Sequence, residues 1–145
     1  MTRHSRGFVL ITMLCSMVVL MAFLGLAIDA GYLELVKTRM QTAADAAALG
    51  AVQEFKMNGV ANVAAAARAD AALNGFTDGQ NGVTVAVHNP PLGGYSTLDS
   101  TGVEVVVAQQ VSTFFMGLVG SSSVSLQARS VARQGSGTTC LHVLD

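Results

Sequence analysis

Residues 8–28 read FVLITMLCSMVVLMAFLGLAI, a run of 21 residues without a single charge. At about 1.5 Å of rise per residue, a helix of that length reaches about 31 Å, the thickness of a bilayer's hydrocarbon core. Arg3, His4 and Arg6 precede the run, and Asp29 and Glu34 follow it before the next cation, Lys37. This asymmetry predicts a single-pass anchor with residues 1–7 in the cytoplasm and the rest of the chain outside. The competing reading is a cleaved secretory signal with Gly25 and Ala27 at its cleavage site. The run exceeds the roughly 7 to 15 apolar residues of such a signal, which favours the anchor. Met13, Met17 and Met21 read as flexible apolar filler within it. Ala27 and Gly31 form a small-xxx-small pair that permits close helix approach.

Beyond Asp29 the apolar positions Leu33, Val36, Met40, Ala43, Ala47 and Ala51 recur at steps of three and four, with Glu34, Lys37, Gln41 and Asp45 on the opposite face. The spacing predicts that one helix continues from the membrane segment to residue 57. Asn58-Gly59 interrupts it. A second helix is expected over 60–73, with Val60, Val63, Ala64, Ala67 and Ala71 on one side and Asn74-Gly75 as its C-cap. From Gly82 the period becomes two, which predicts strands over 83–88, 103–110 and 123–132. Asn89-Pro90-Pro91 stops the first of these, because proline cannot donate to a ladder. The stretch STFFMGLVG at 112–120 reads as a short apolar helix or turn. The link from the second strand to the third is short for a parallel crossover, so a mostly antiparallel sheet is expected. The fold class is therefore α+β: an N-terminal transmembrane helix continuing into a long helix, a second helix, and a small, mostly antiparallel three-stranded sheet. The expected divisions are a basic leader at 1–7, the membrane helix at 8–28, an extracytoplasmic domain at 29–134, and a linker at 135–145.

Composition narrows the function. The chain is 51% hydrophobic and only 12% charged, with a net charge of -1, which is incompatible with a disordered chain. Eight Lys+Arg against nine Asp+Glu leave no basic stripe for nucleic acid. His4, His88 and His142 lie far apart in sequence, and no spacing associated with a nucleophile, a metal or a phosphate loop occurs. No catalytic residue, metal ligand, cofactor or small-molecule substrate is expected. Glu34 and Asp45 read as solvated positions on a helix face, and His88 as a strand-end residue. After Gly135-Ser136-Gly137, the stretch TTCLHVLD alternates in polarity with no evident partner strand. The chain is accordingly expected to continue past Asp145, with Cys140 a candidate for a disulfide to a cysteine further on. The alternative is a frayed tail with a buried free thiol.

Three features together carry a family resemblance: the Arg6-Gly7 junction abutting the apolar helix, the Gly25-x-x-x-Asp29-x-Gly31 step at its end, and the run Gln41-Thr42-Ala43-Ala44-Asp45-Ala46-Ala47-Ala48-Leu49. They resemble the N-terminal module of the TadE/TadG-like family of Flp (tight adherence) pilus assembly proteins, within the wider type IV pilin-like group. The last run is similar to that family's Q-x-x-A-D-A-A-A-L-A signature. Downstream, the V-E-V-V-V strand, the Phe114-Phe115-Met116-Gly117-Leu118 turn and the strand ending Ala128-Arg129-Ser130-Val131-Ala132 are also similar to TadG-like relatives. The resemblance marks Gly7-Phe8 as a candidate leader-cleavage junction. Processed prepilin-like members carry a glutamate at the fifth position from the new N-terminus, where this chain has Thr12. Retention of residues 1–7 is therefore the expectation.

The resemblance implies a structural component of a Flp-type pilus, bound to a bacterial inner membrane with its N-terminus cytoplasmic and its domain periplasmic or extracellular. Its expected partners are that membrane and other Tad assembly proteins or pilins. Asp29, Gly31, Gln41, Asp45, Ala47, Ala48 and Leu49 are the candidate assembly surface. The competing account of the alanines is that they cover the protein's own sheet, since alanine costs no side-chain entropy in a helix and permits close packing. Two other roles remain open: the anchor and neck of an adhesive or β-rich surface protein, or of an enzyme whose catalytic part lies beyond residue 145.

Overall fold

The computed structural model describes residues 5–135 and 142–144. Its elements follow the order α1 (Ser5–Asn58), a 3-10 turn (Val60–Asn62), α2 (Val63–Leu73), β1 (Val83–His88), β2 (Gly102–Ser112), a 3-10 turn (Met116–Val119), β3 (Ser123–Arg133) and β4 (His142–Leu144). The two long helices, the three expected strands and the α+β class agree with the pattern of the sequence. The described residues form two compact units: one holds α1 as far as Glu34 together with residues 112–124, and the other begins at Leu35 and holds the rest.

α1 is a single helix of 54 residues. It contains no proline, and its apolar half runs into its alanine-rich half without a cap or a break. The halves differ in burial: the large side chains from Phe8 to Leu24 are exposed, whereas Met40, Ala43, Ala44, Ala47, Ala48, Ala51 and Val52 are fully buried. α1 is long and apolar enough to cross a membrane.

In the second unit, the alanine stripe of α1 joins Val63, Ala67 and Ala71 of α2 and the inward valines of the sheet in one core. α2 begins later than the periodicity predicts. Residues 60–62 form a 3-10 turn, whose tighter winding leaves Val60 exposed, and only Val63, Ala67 and Ala71 of the expected face are buried. The predicted cap is present. The Phe76 amide donates to the Ala71 carbonyl and the Gly75 amide to that of Ala72, both at 2.9 Å. Gly75 adopts φ +92°, which a side chain would strain, and Phe76 folds back into the core.

The sheet has the order β1-β2-β3-β4. β1 and β2 are antiparallel, with Val85 opposite Val107 and His88 opposite Glu104. Val103, Val105 and Val107 point together into the core, as their alternation predicts. β4 corrects the reading of the tail as unpartnered, because it pairs antiparallel with the end of β3, with Val131 opposite Leu144. A strand edge left by β3 offers free backbone groups that a three-residue segment can satisfy. Cys140 lies outside the described residues.

Candidate functional site

The first unit holds an unusual use of a carboxylate. Asp29, at the end of the apolar run, is fully buried. Its Oδ1 accepts from the Phe114 amide at 3.0 Å, and its Oδ2 from those of Phe115 and Met116 at 2.8 and 2.6 Å. Those three amides lead into the 3-10 turn Met116–Val119, with Met116 its first residue, and have no turn carbonyl of their own to bond. An ionised carboxylate is an acceptor with several lone pairs and no donor, so it can serve all three. One turn before Asp29, the loop approaches α1 closely at Gly25. A Cβ there would lie 2.6 Å from the Phe115 ring, so only glycine leaves room. One turn after, Tyr32 meets the Phe114 ring edge to face at 5.7 Å. Gly25, Asp29 and Tyr32 thus form one dock on α1 for residues 113–122.

Beside this dock is an apolar groove of about 550 Å³, between Val19, Phe23 and Leu26 on α1 and Phe115, Met116 and Leu118 on the loop. Phe114 and Leu118 are exposed at 66% and 85%. None of residues 113–122 is charged.

The second unit holds a polar cluster. Arg129 donates from Nε to Glu104 Oε1 and from a terminal nitrogen to the Gly93 carbonyl. Glu104 Oε2 accepts from the Leu92 amide at 2.6 Å. Burial alone would push the Glu104 carboxyl up. The Leu92 amide, the Arg129 guanidinium and, last, the nearby His88 ring outweigh it and hold the carboxyl below its ordinary value. On the other side, Gln41 Nε2 donates to Asp45 Oδ1 at 2.9 Å and to the Arg129 carbonyl at 3.1 Å, tying α1 to β3. Asp99 accepts from the amide and hydroxyl of Thr101, which draws its carboxyl down, and faces Arg133 at 3.7 Å. His88 Nδ1 is buried without a hydrogen-bond partner. Among the described residues, no group of three or more His, Cys, Asp or Glu could hold a metal ion.

The expected assembly residues therefore do not form one exposed face. Ala47 and Ala48 are inside the core, because the stripe they continue is the one that covers the sheet. Asp29 is buried by the loop it holds. Leu49 is half-buried and packs on the core, and Gln41 and Asp45 are half-buried and bonded to each other. Gly31 is exposed with open space where a side chain would be, and Gly7 and Phe8 lie exposed in the first turns of α1.

Glu104 and Arg129 are the residues that sequence reasoning did not single out. The signal was present in two of the quoted motifs, since each sets one charge in an apolar strand, and a charge so placed calls for a partner. The Asp29 dock likewise joins two motifs that the sequence shows 85 residues apart.

These joined motifs are also the segments that the family comparison covers. The family described as Flp pilus-assembly TadE/G-like matches residues 7–54, and that described as Tad-like Flp pilus-assembly matches residues 37–132. Comparison with curated proteins and with solved structures gives no match. With more than half of its length matched, including α1, both strands of the Glu104–Arg129 pair and the docked loop, the chain belongs to the Tad-like Flp pilus-assembly family.

Proposed function

We propose that this chain is a single-pass component of a bacterial inner membrane, with residues 1–7 in the cytoplasm and its α+β body on the periplasmic or extracellular side. It serves Flp-type pilus assembly by binding other assembly proteins or pilins and performs no reaction of its own. The observation that carries the reading is the contrast along α1: a run of apolar side chains exposed at 50% or more from residue 8 to residue 24, in the same helix that forms the core of the second unit. Hydrocarbon is the environment that makes such exposure favourable. The engagement of Gly25 and Asp29 by residues 114–116 supports retention of the segment, because cleavage near Asp29 would remove the dock.

A reporter enzyme fused after Met57 is expected to be active only when exported, and alkaline carbonate should leave the protein in the membrane pellet. Release into the soluble fraction with a new N-terminus near Asp29 would mark the apolar run as a signal peptide instead.

The leader gives a separate expectation. Thr12 stands where processed relatives have glutamate, and its hydroxyl bonds back to the Val9 carbonyl at 2.9 Å within α1. Intact-mass measurement of the membrane-extracted protein should find residues 1–7 present. A mass corresponding to Phe8 as the sole N-terminus would overturn this.

A further inference from the structure

We propose that residues 113–122 form a second membrane-contacting element, lying in the outer half of the hydrocarbon layer, with phospholipid acyl chains filling the groove between them and α1. This rests on residues 8–28 spanning the bilayer. Within that run, Leu26 lies about 3 Å and Val19 about 14 Å inward of Ile28 along the helix axis. Both fall within the outer half of a hydrocarbon core of about 30 Å. A loop packed on these positions shares their depth.

The loop has the chemistry that such depth requires. Irregular backbone is costly at membrane depth because no water is there to satisfy its donors and acceptors, so protein groups must meet them. Here the amides of Phe114, Phe115 and Met116 end on Asp29. The amides of Thr113, Leu118, Gly120 and Ser121 end on carbonyls of Ser122, Phe115, Gly117 and Met116. The outward Phe114 and Leu118 lie beside the exposed apolar side chains of α1, and apolar surface gathered in this way is favoured in hydrocarbon. The α1 side chains that line the groove, Val19, Phe23 and Leu26, are themselves exposed at 50% or more, so the medium that surrounds them also surrounds the loop. Acyl chains are thereby favoured over a polar partner surface. Asp29 would have a specific part in this: it is the acceptor that lets an irregular segment enter the bilayer.

The chain contains no tryptophan, so one introduced residue reports alone. The full chain carrying Leu118→Trp, reconstituted in phosphatidylcholine vesicles, should lose about twofold or more of its emission to bromine on the acyl chains while resisting aqueous iodide. Met17→Trp serves as the reference for the span, and Tyr95→Trp, 94% exposed, for water. Quenching of Met17→Trp by bromolipid, with Leu118→Trp reached by iodide only, would overturn the loop proposal and leave the anchor standing. Escape of Met17→Trp from bromolipid would remove the anchor and the loop proposal together. Shielding of Leu118→Trp from both quenchers would mean that protein, from a second copy or a pilin, covers the groove, and the lipid assignment would be wrong. Adding Asp29→Ala to Leu118→Trp should raise iodide quenching about twofold, because the freed amides then need water. Unchanged quenching in that variant would overturn the role given to Asp29.

Discussion

Ala47→Leu should destabilise the second unit by about 1 to 3 kcal/mol, the usual cost of forcing extra methylenes into a packed core. Ala47 has no exposed surface, and Ala43, Ala44, Ala48 and Ala51 around it are equally enclosed, so the added isobutyl group has no open side to turn to. Thermal unfolding of the full chain in detergent should show the loss, and steady-state abundance in cells should fall with it. Asp45→Ala is the companion measurement. Asp45 is half-buried and accepts one hydrogen bond, from Gln41, so its removal costs about 0.5 to 1.5 kcal/mol and leaves the core filled. If Asp45 contacts a partner, that variant accumulates normally but loses pilus biogenesis or cross-linking to other assembly proteins. A variant that is stable and also assembles normally would end the case for Asp45.

Arg129→Met should cost about 2 to 3 kcal/mol. Removing one member of a buried ion pair costs roughly 3 to 5 kcal/mol, and the figure is reduced here because the Arg129 side chain is 35% exposed. The remaining cost falls on Glu104, whose side chain is only 6% exposed and would keep a single donor, the Leu92 amide. A double variant, Arg129→Met with Glu104→Gln, should recover part of the loss, since no unpaired charge is left inside. The same carboxylate makes stability depend on pH. Its folded-state pKa lies below its ordinary value of 4.5, so the stabilisation is fully present above 4.5 and fades as the pH falls through the lower folded-state value. Glu104→Gln should flatten the decline in melting temperature below about pH 4.5. An unchanged acid profile in that variant would shift the dependence to other carboxylates, with Asp99 the next to test.

Periodicity made the elements legible because it reports which side of each is buried. The three-and-four spacing of Met40, Ala43, Ala47 and Ala51 marks the stripe that covers the sheet, and the alternation of Val103, Val105 and Val107 marks the face it covers. The same information was open to two meanings at the alanines. A stripe of small residues permits close packing whether the neighbour is the chain's own sheet or another protein, and only the fold identifies the neighbour as the sheet. Asp29 and the Glu104–Arg129 pair were less legible for a different reason. Their partners are distant in sequence, 85 to 87 residues for the Asp29 amides and 25 for Glu104 and Arg129, and no local period encodes such a pairing. Val60 shows a third limit, because apolar spacing continues through a 3-10 turn whose winding no longer keeps that position on the buried side.

The distance in sequence between Asp29 and its donors also sets an order of events during synthesis. Asp29 leaves the ribosome 85 residues before Phe114. At roughly 5 to 20 residues per second, about 4 to 17 s pass in which the carboxylate exists and the amides that it will hold do not. Throughout that interval the carboxylate lacks these three donors, and a nascent chain stalled before Phe114 would keep it so. The loop can therefore close onto α1 only after α2 and β1 have already emerged, which makes this closure a late step in the protein's maturation.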